Sequence, residues 1–225
     1  MTVKDRDHQL GVFIQGRLRF IRHHCEKKGL DPERSLAAIA AEARRGAGSA
    51  DRVEFLDKRV FGSGILPTSA VPDWVDKVFL EAMTRVLDSG SGRLFTTTSK
   101  QPCISFEAGR FNAQQQAETD YKSLYTGKAP TDWLRTTFPI LYRSCYGPDA
   151  AKDLRVEQLA PSRFRVSMAN RRLEKASQAD CSTVIGYVFG SLEKLGAPRP
   201  LVTHPECCVA PGATCERCVF EVSWG

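Results

Sequence analysis

The hydrophobic pattern of this chain changes period near residue 150, and that change limits what it can fold into. Before it, apolar residues recur at helical spacing. In "DWVDKVFLEAMTRVLDSG", Trp74, Val75, Val78, Phe79, Ala82, Val86 and Leu87 share one face of a 3.6-residue period. After it, "DLRVEQLAPSRFRVSMAN" alternates: Leu154 and Val156, then Phe164, Val166 and Met168 beyond an Ala-Pro-Ser turn. Successive strand side chains point to opposite faces, so this alternation predicts a β-hairpin. "ADCSTVIGYVFGSLEKLG" then reads as an apolar helix stopped by Gly196, and "RPLVTHPECC" and "RCVFEVSW" as two further strands joined by "VAPGAT". The expectation is an α+β fold, with a helical N-terminal part followed by a β-β-α-β-β C-terminal half. No repeat or linker interrupts it. One domain is expected over 1–225, mainly helical over 1–150, with the hairpin, helix and cysteine-rich hairpin over 151–225.

The helical part reads in pieces. Val12 and Ile14 in "GVFIQGRLRF" suggest a first strand ending near Gly16, then a helix with Leu18, Ile21 and Cys25 on one side, stopped by Gly29. In "LDPERSLAAIAAEARRG", Asp31 is placed to cap a helix and Pro32 to open it. "GAGSADR" reads as a loop and "SGSGRLFTTTSKQPC" as a flexible polar stretch. "FNAQQQAETDYKSLYTG" predicts a helix ended by Gly127. "APTDWLRTTFPILYRSCYG" predicts another, capped by Thr131 or Asp132 and bent or broken at Pro139.

Composition narrows the function classes. With 225 residues, 42% hydrophobic and 26% charged, the chain can bury a core without disulfides. No apolar run approaches the ~18 residues a membrane span needs. The start "MTVKDRDHQL" lacks the apolar core of a secretory signal, so a cytoplasmic protein is expected. The net charge of +6 comes from scattered basic residues interleaved with acids, which argues against a nucleic-acid partner.

In a reducing compartment, clustered cysteines are read as metal ligands or thiols before disulfides. Four of the eight cysteines and one of the four histidines fall within "HPECCVAPGATCERC". Cys181 opens an apolar helix containing Gly186 and Tyr187. Cys208 and Gly212 then make a Cys-x3-Gly turn, and Cys218 and Phe220 a Cys-x-Phe strand. This ending resembles the 4-vinyl-reductase-like domain, a small-molecule-binding class related to TRAPP vesicle-tethering components. The stretches "FIQGRLRFIRHHCEKKG", "SLAAIAAE", "SGILPTSAVP" and "APTDWLRTTFPILYRSCYG" are similar to an uncharacterised paralogous family abundant in myxobacteria, which shares that ending. The resemblance implies a structural zinc. This chain departs from the pattern through the pair Cys207-Cys208 and an inserted "TCER" that creates Cys215-x2-Cys218.

Zinc prefers four tetrahedral thiolate or imidazole ligands, and a Cys-x2-Cys turn presents two of them. The expected ligands are Cys181, Cys208, Cys215 and Cys218, with Cys207 or His204 as alternates. Adjacent strand residues face opposite ways, so Cys207 and Cys208 are not both expected to be ligands. Bare buried thiols, or a redox thiol pair, are the other readings. A site closed by four protein ligands leaves no position for catalytic water.

Elsewhere the chain offers little chemistry. His23 and His24 adjoin Cys25, but adjacent helical residues do not share a face. Cys103 and Cys145 stand alone and read as packing. The glycines of "SGSGR" are not followed by the Lys-Ser/Thr of a phosphate loop. Glu174 and Asp180 read as surface charge. No nucleophile elbow or His-x3-His appears, so no catalytic residue and no enzyme activity are expected. The aromatic set Trp133, Phe138, Tyr142, Phe164, Tyr187 and Phe189 could line a ligand pocket or simply pack a core.

These readings converge on a regulatory sensor or binding module for a small apolar ligand. The alternative is a homodimeric interaction scaffold acting on a signalling partner such as a small GTPase. A homodimer is expected under either reading, paired through the helical face of Trp74, Phe79 and Leu87.

Overall fold

The computed structural model describes residues 8–62, 64–88, 92–146, 150–169 and 176–225. A short strand β1 (His8–Leu10) pairs antiparallel with β2 (Ala70–Pro72). Between them run α1 (Val12–Lys28), α2 (Pro32–Gly46) and α3 (Ala50–Phe55), the last prolonged by a π-helical turn over Leu56–Val60. After β2 come α4 (Asp73–Leu87), α5 (Ile104–Glu118), α6 (Lys122–Tyr125) and α7 (Pro130–Asp132). A second π-helical turn, Trp133–Thr137, leads into α8 (Phe138–Tyr146) and then α9 (Ala150–Asp153). The C-terminal half is β3 (Leu154–Ala160), β4 (Arg163–Ala169), α10 (Gln178–Lys194), β5 (Leu201–Glu206) and β6 (Arg217–Ser223). Its four strands form one antiparallel sheet in the order β3-β4-β6-β5. The α+β reading and the β-β-α-β-β order therefore hold.

Two apolar clusters organise the chain. One gathers Ile14, Ile21, Ile39, Leu56, Phe79, Leu80 and Met83 from the N-terminal helices. The other joins Ile185, Val188 and Leu192 of α10 to Phe164 and Val166 of β4 and Phe220 and Val222 of β6. The face expected to pair two copies lies inside the first cluster. Phe79 and Leu87 are buried there, while half-buried Trp74 meets Phe55 edge-on and carries the Arg52 guanidinium over its ring at 4.9 Å.

Several local expectations change. The first strand is not at Val12–Gly16, because α1 already begins at Val12. Val12, Ile14, Arg17, Phe20, Ile21 and Cys25 are all buried along it, and four alternating residues are too few to override that longer helical pattern. The "GAGSADR" loop starts α3, with Ser49 Oγ accepting from the Arg52 amide at 3.4 Å. Of the polar stretch before α5, residues 89–91 lie outside the described residues, and the part at 97–99 is tied down instead of loose. Thr98 bridges Thr203, the Ser99 amide donates to the Val202 carbonyl at 2.9 Å, and the His204 amide donates to the Thr97 carbonyl at 2.7 Å. Neither Thr131 nor Asp132 caps α7; Ala129 occupies that position. Pro139 neither ends nor breaks its helix. It sits at the start of α8, directly after the π-helical turn, where the amide it lacks is absorbed by the widened hydrogen-bond spacing. Asp31 does cap α2, its Oδ1 accepting from the Glu33 amide at 2.9 Å.

Candidate functional site: an apolar pocket beside a thiol cluster

The start of α10 is fixed by a capping box. The Ser177 amide donates to Asp180 Oδ2 at 2.7 Å, and Asp180 sits at the third helical position. Asp180 is thus a half-buried structural group and not surface charge; Glu174 lies outside the described residues. The next residue, Cys181, points into the sheet side. Its Sγ stands 3.7 Å from Cys218 Sγ on β6 and 4.0 Å from Cys207 Sγ just past β5. Cys208 Sγ lies 3.2 Å from Cys218 Sγ.

His204 joins this group because β5 is irregular there. The register with β6 shifts between Thr203 and Glu206, where Pro205 has no amide to give the ladder. The His204 ring stacks on Phe220 with centroids 4.2 Å apart. Its Nδ1 donates to the Val219 carbonyl at 2.8 Å, which leaves Nε2 as the free lone pair. Nε2 is buried without a hydrogen-bond partner among the described residues. The ligand-type atoms of Cys181, His204, Cys207 and Cys218 all lie within 4.8 Å of one another.

The four expected ligands are therefore not the ones brought together. Cys215 stands outside the group, half-buried, and Cys208 reaches it only through Cys218. Cys207 and His204, the alternates, take their places. Strand alternation does not separate Cys207 from Cys208, because β5 has ended at Glu206 before either. Electrostatics divides the thiols. The Cys181 and Cys218 thiols, and to a lesser degree the His204 imidazole, hold Cys207 far below the ordinary cysteine value. Hydrogen bonds with Cys207 and Cys218, together with burial, push Cys181 well above it. For Cys218 the bond with Cys181 acts downward, but Cys207, burial and Cys208 outweigh it and raise the group.

Beside the thiols, a cavity of about 70 Å³ opens between α1, α5, α8, β4 and α10. Phe138, Tyr142 and Tyr187 of the expected aromatic set line it, with Leu141, Met168 and Val184. Trp133 and Phe164 do not; both are fully buried in the core. Phe189 packs away from the cavity against Phe106, under the Arg110 guanidinium. Arg17 at the pocket margin is neutralised by a buried ion pair with Asp76 of α4, Nη2 donating to Oδ2 at 2.9 Å. Asn112, Asp180 and Thr183 also reach the wall, and the rest of it is apolar or aromatic. Sequence reasoning missed Phe13 and Leu141, because α1 and α8 reach the pocket only through tertiary packing, and it passed over the non-aromatic Val184 of α10.

His23 and His24 line a separate, wider groove of about 630 Å³ with Phe20, Phe111 and Cys103. His23 stacks on Phe111 at 5.0 Å, and burial and then Lys28 lower the His24 value. Cys103 is a buried packing residue, as expected, and the Cys145 side chain lies outside the described residues.

A helical N-terminal half set on a four-stranded antiparallel sheet, with a pocket at their junction, defines the class of fold. No family model and no curated relative matches this chain. Solved H-NOX domains do. An H-NOX protein from S. oneidensis, in its Fe(II) ligation state, aligns with a TM-score of 0.57 over 96% of both chains at 12% identity. An oxygen-binding H-NOX domain related to soluble guanylate cyclases aligns at 0.52 over 91% of this chain and 90% of that one, at 14% identity. A third, from work on haem distortion in the H-NOX family, aligns at 0.55 over 93% and 94% at 13% identity.

These neighbours correct the resemblance drawn from the cysteine-glycine ending. The structures named above superpose along nearly the whole chain, and they are H-NOX domains, not vinyl-reductase-like or TRAPP-like ones. Nor do the comparisons add anything to the likeness with the myxobacterial group. The motif is local: Gly212 turns the chain at φ 74°, and Cys218 and Phe220 are alternate inward residues of β6, a pattern many hairpins satisfy. The structural zinc and the zinc-binding and metal-binding character inferred from that resemblance fall with it, since the solved neighbours are haem domains.

Haem itself does not fit the apolar pocket. Haem iron takes an axial His, Cys, Met or Tyr facing the macrocycle. Among the described residues Tyr142, Tyr187 and Met168 are the axial types present, the Tyr187 hydroxyl is already committed to Gln116, and no histidine or cysteine lines the apolar pocket. Its volume is about half that of a ~150 Å³ cavity known to take benzene, and far below the ~300 to 1,000 Å³ of ordinary ligand sites. Behind it Trp133 packs against Tyr125, Phe138 and Tyr187 at 5.5, 5.6 and 6.5 Å, so the interior is filled by rings.

Proposed function

We propose that this chain is a non-catalytic sensor or binding module that takes a small apolar ligand, or the apolar end of a larger one, in the pocket between α1, α5, α8, β4 and α10. The observation that carries this reading is the pocket's position and lining. It lies where the helical half meets the sheet, and its walls are Phe13, Phe138, Leu141, Met168 and Val184. Tyr187 is held in place by its hydroxyl, which donates to Gln116 Oε1 at 2.9 Å. A ligand there touches both halves at once and so biases how they sit, which is what a sensor requires. H-NOX domains that bind oxygen share the fold and lend the reading support.

Thermal shift against a panel of small aromatic and aliphatic compounds tests it. A binder at a hundredfold its Kd adds about 2.7 kcal/mol, a rise of about 5 to 10 °C for a chain of this size. Val184→Phe, which fills the pocket, removes the shift. A panel in which nothing raises the midpoint, or a Val184→Phe chain shifted as much as the parent, sinks the reading.

A further inference from the structure

We infer that Cys207, Cys181 and His204 form a peroxide-responsive thiol site, in which Cys207 is oxidised and then linked to Cys181. Three observations converge on it. First, the thiols are held together by three separate elements: the first turn of α10, the end of β5 and the start of β6 bring Cys181, Cys207 and Cys218 within 4.0 Å steps. Second, the thiols differ in access. Cys181, Cys208 and Cys218 are buried, while Cys207 is half-buried and so can meet a small oxidant from solvent. Third, the site contains its own base. His204 is 4% exposed, its Nδ1 is committed to the Val219 carbonyl, and its Nε2 has no hydrogen-bond partner and lies within 4.8 Å of the sulfurs.

The chemistry follows from that placement. His204 Nε2 takes the Cys207 proton, leaving a thiolate beside an imidazolium. The thiolate attacks one oxygen of hydrogen peroxide. The O–O bond breaks, the Cys207 sulfur becomes a sulfenic acid, and the departing hydroxide takes the imidazolium proton and leaves as water. The Cys181 thiol then attacks the Cys207 sulfur, a second water leaves, and an S–S bond joins the two residues. Two thiols are oxidised by two electrons and one peroxide is reduced to two waters. The pair starts only 4.0 Å apart.

The consequence reaches the pocket. A crevice of about 30 Å³ is lined by Cys181, Cys208 and Cys218, and it shares Met168, Asp180 and Val184 with the apolar pocket. Closing the Cys181–Cys207 bond draws the first turn of α10 toward the end of β5, along that shared wall. The oxidation itself stands whether or not the pocket takes a ligand.

The test uses the whole chain, reduced, desalted and given one equivalent of hydrogen peroxide. Free thiols fall by two per chain, a peptide map of the unmutated protein joins the Cys207 and Cys181 peptides, and dithiothreitol restores both. Cys181→Ser stops at a sulfenic acid on Cys207 that dimedone traps. His204→Gln slows the loss at least tenfold, while Cys25→Ser, in the other core cluster, leaves it unchanged. The proposal is overturned if the map shows no Cys181–Cys207 link, if Cys25 or Cys103 is oxidised first, or if the protein as isolated carries a tightly held metal that keeps these sulfurs unreactive. The map needs no variant, so a mutant that fails to fold does not obscure the answer.

Discussion

Trp133 is fully buried, yet its indole Nε1 has no hydrogen-bond partner among the described residues. Its place among Tyr125, Phe138 and Tyr187 therefore depends on ring packing and area, against the ~1 to 3 kcal/mol that an unpaired buried donor costs. Two substitutions separate these terms. Trp133→Ala removes the ring and leaves a cavity, and should cost about 3 to 5 kcal/mol in chemical denaturation. Trp133→Phe loses less volume and also removes the orphan donor, so its cost should stay near or below ~1.5 kcal/mol. Equal losses in both variants would mean that the indole N–H is satisfied and that the packing account is wrong. The cysteines teach a related lesson at the same scale. Their crowding was plain in "HPECCVAPGATCERC", but which of them meet was not. That depends on β5 stopping at Glu206 and on the register shift beside Pro205, neither of which a spacing rule encodes.

Between α5 and α10 the packing is closer than side chains normally allow, because glycines form the seam. A Cβ on Gly186 would stand 2.0 Å from the Phe106 carbonyl oxygen, one on Gly109 2.1 Å from that of Thr183, and one on Gly190 2.8 Å from that of Arg110. The seam is clamped at one end by Arg110 and Glu193, with Nε to Oε2 at 2.7 Å and Nη2 to Oε1 at 3.0 Å. Backbone cannot yield as a flexible side chain does, so Gly186→Ala and Gly109→Ala should each cost about 3 kcal/mol or more, and Gly190→Ala less. Urea midpoints for the three variants check the order. A Gly186→Ala chain as stable as the parent would contradict the helix crossing described here. The same geometry shows why Gly186 is no wall of the ligand pocket: it faces α5, and Thr183, Val184 and Tyr187 face the cavity. From sequence, α10, the hairpin and the two closing strands were legible, since each carries its own period. The α5 partner of the glycine seam was not, because Gly109 lies some 70 residues from its contact at Thr183. The strand-like pairing of Thr98 beside β5 was hidden for the same reason, in a stretch with no apolar period of its own.

Across the molecule, the helical cluster and the sheet cluster interlock through shared elements. Along α5, Phe106 belongs to the sheet cluster and Ala108 to the helical one. At the start of α10, Ala179 packs with the helices and Cys181 with the sheet. Neither cluster can lose its packing while both helices stay in place, so the described parts should unfold as one cooperative unit. The native tryptophans allow a direct test. Trp74 sits in the helical half beside Phe55, and Trp224 stacks on Phe164 in the sheet half with centroids 5.6 Å apart. In a chain carrying only Trp74 (Trp133→Phe, Trp224→Phe) fluorescence follows the helices. In one carrying only Trp224 (Trp74→Phe, Trp133→Phe) it follows the sheet. For each chain, urea unfolding followed by its tryptophan and by far-ultraviolet circular dichroism should give midpoints agreeing within about 0.2 M, as two-state unfolding demands. If the Trp74 signal is instead lost well before the dichroism, the helical part is a separate folding unit. The pocket at its junction with the sheet would then be a domain interface, free to open without global unfolding, and the one-domain expectation would have to be abandoned.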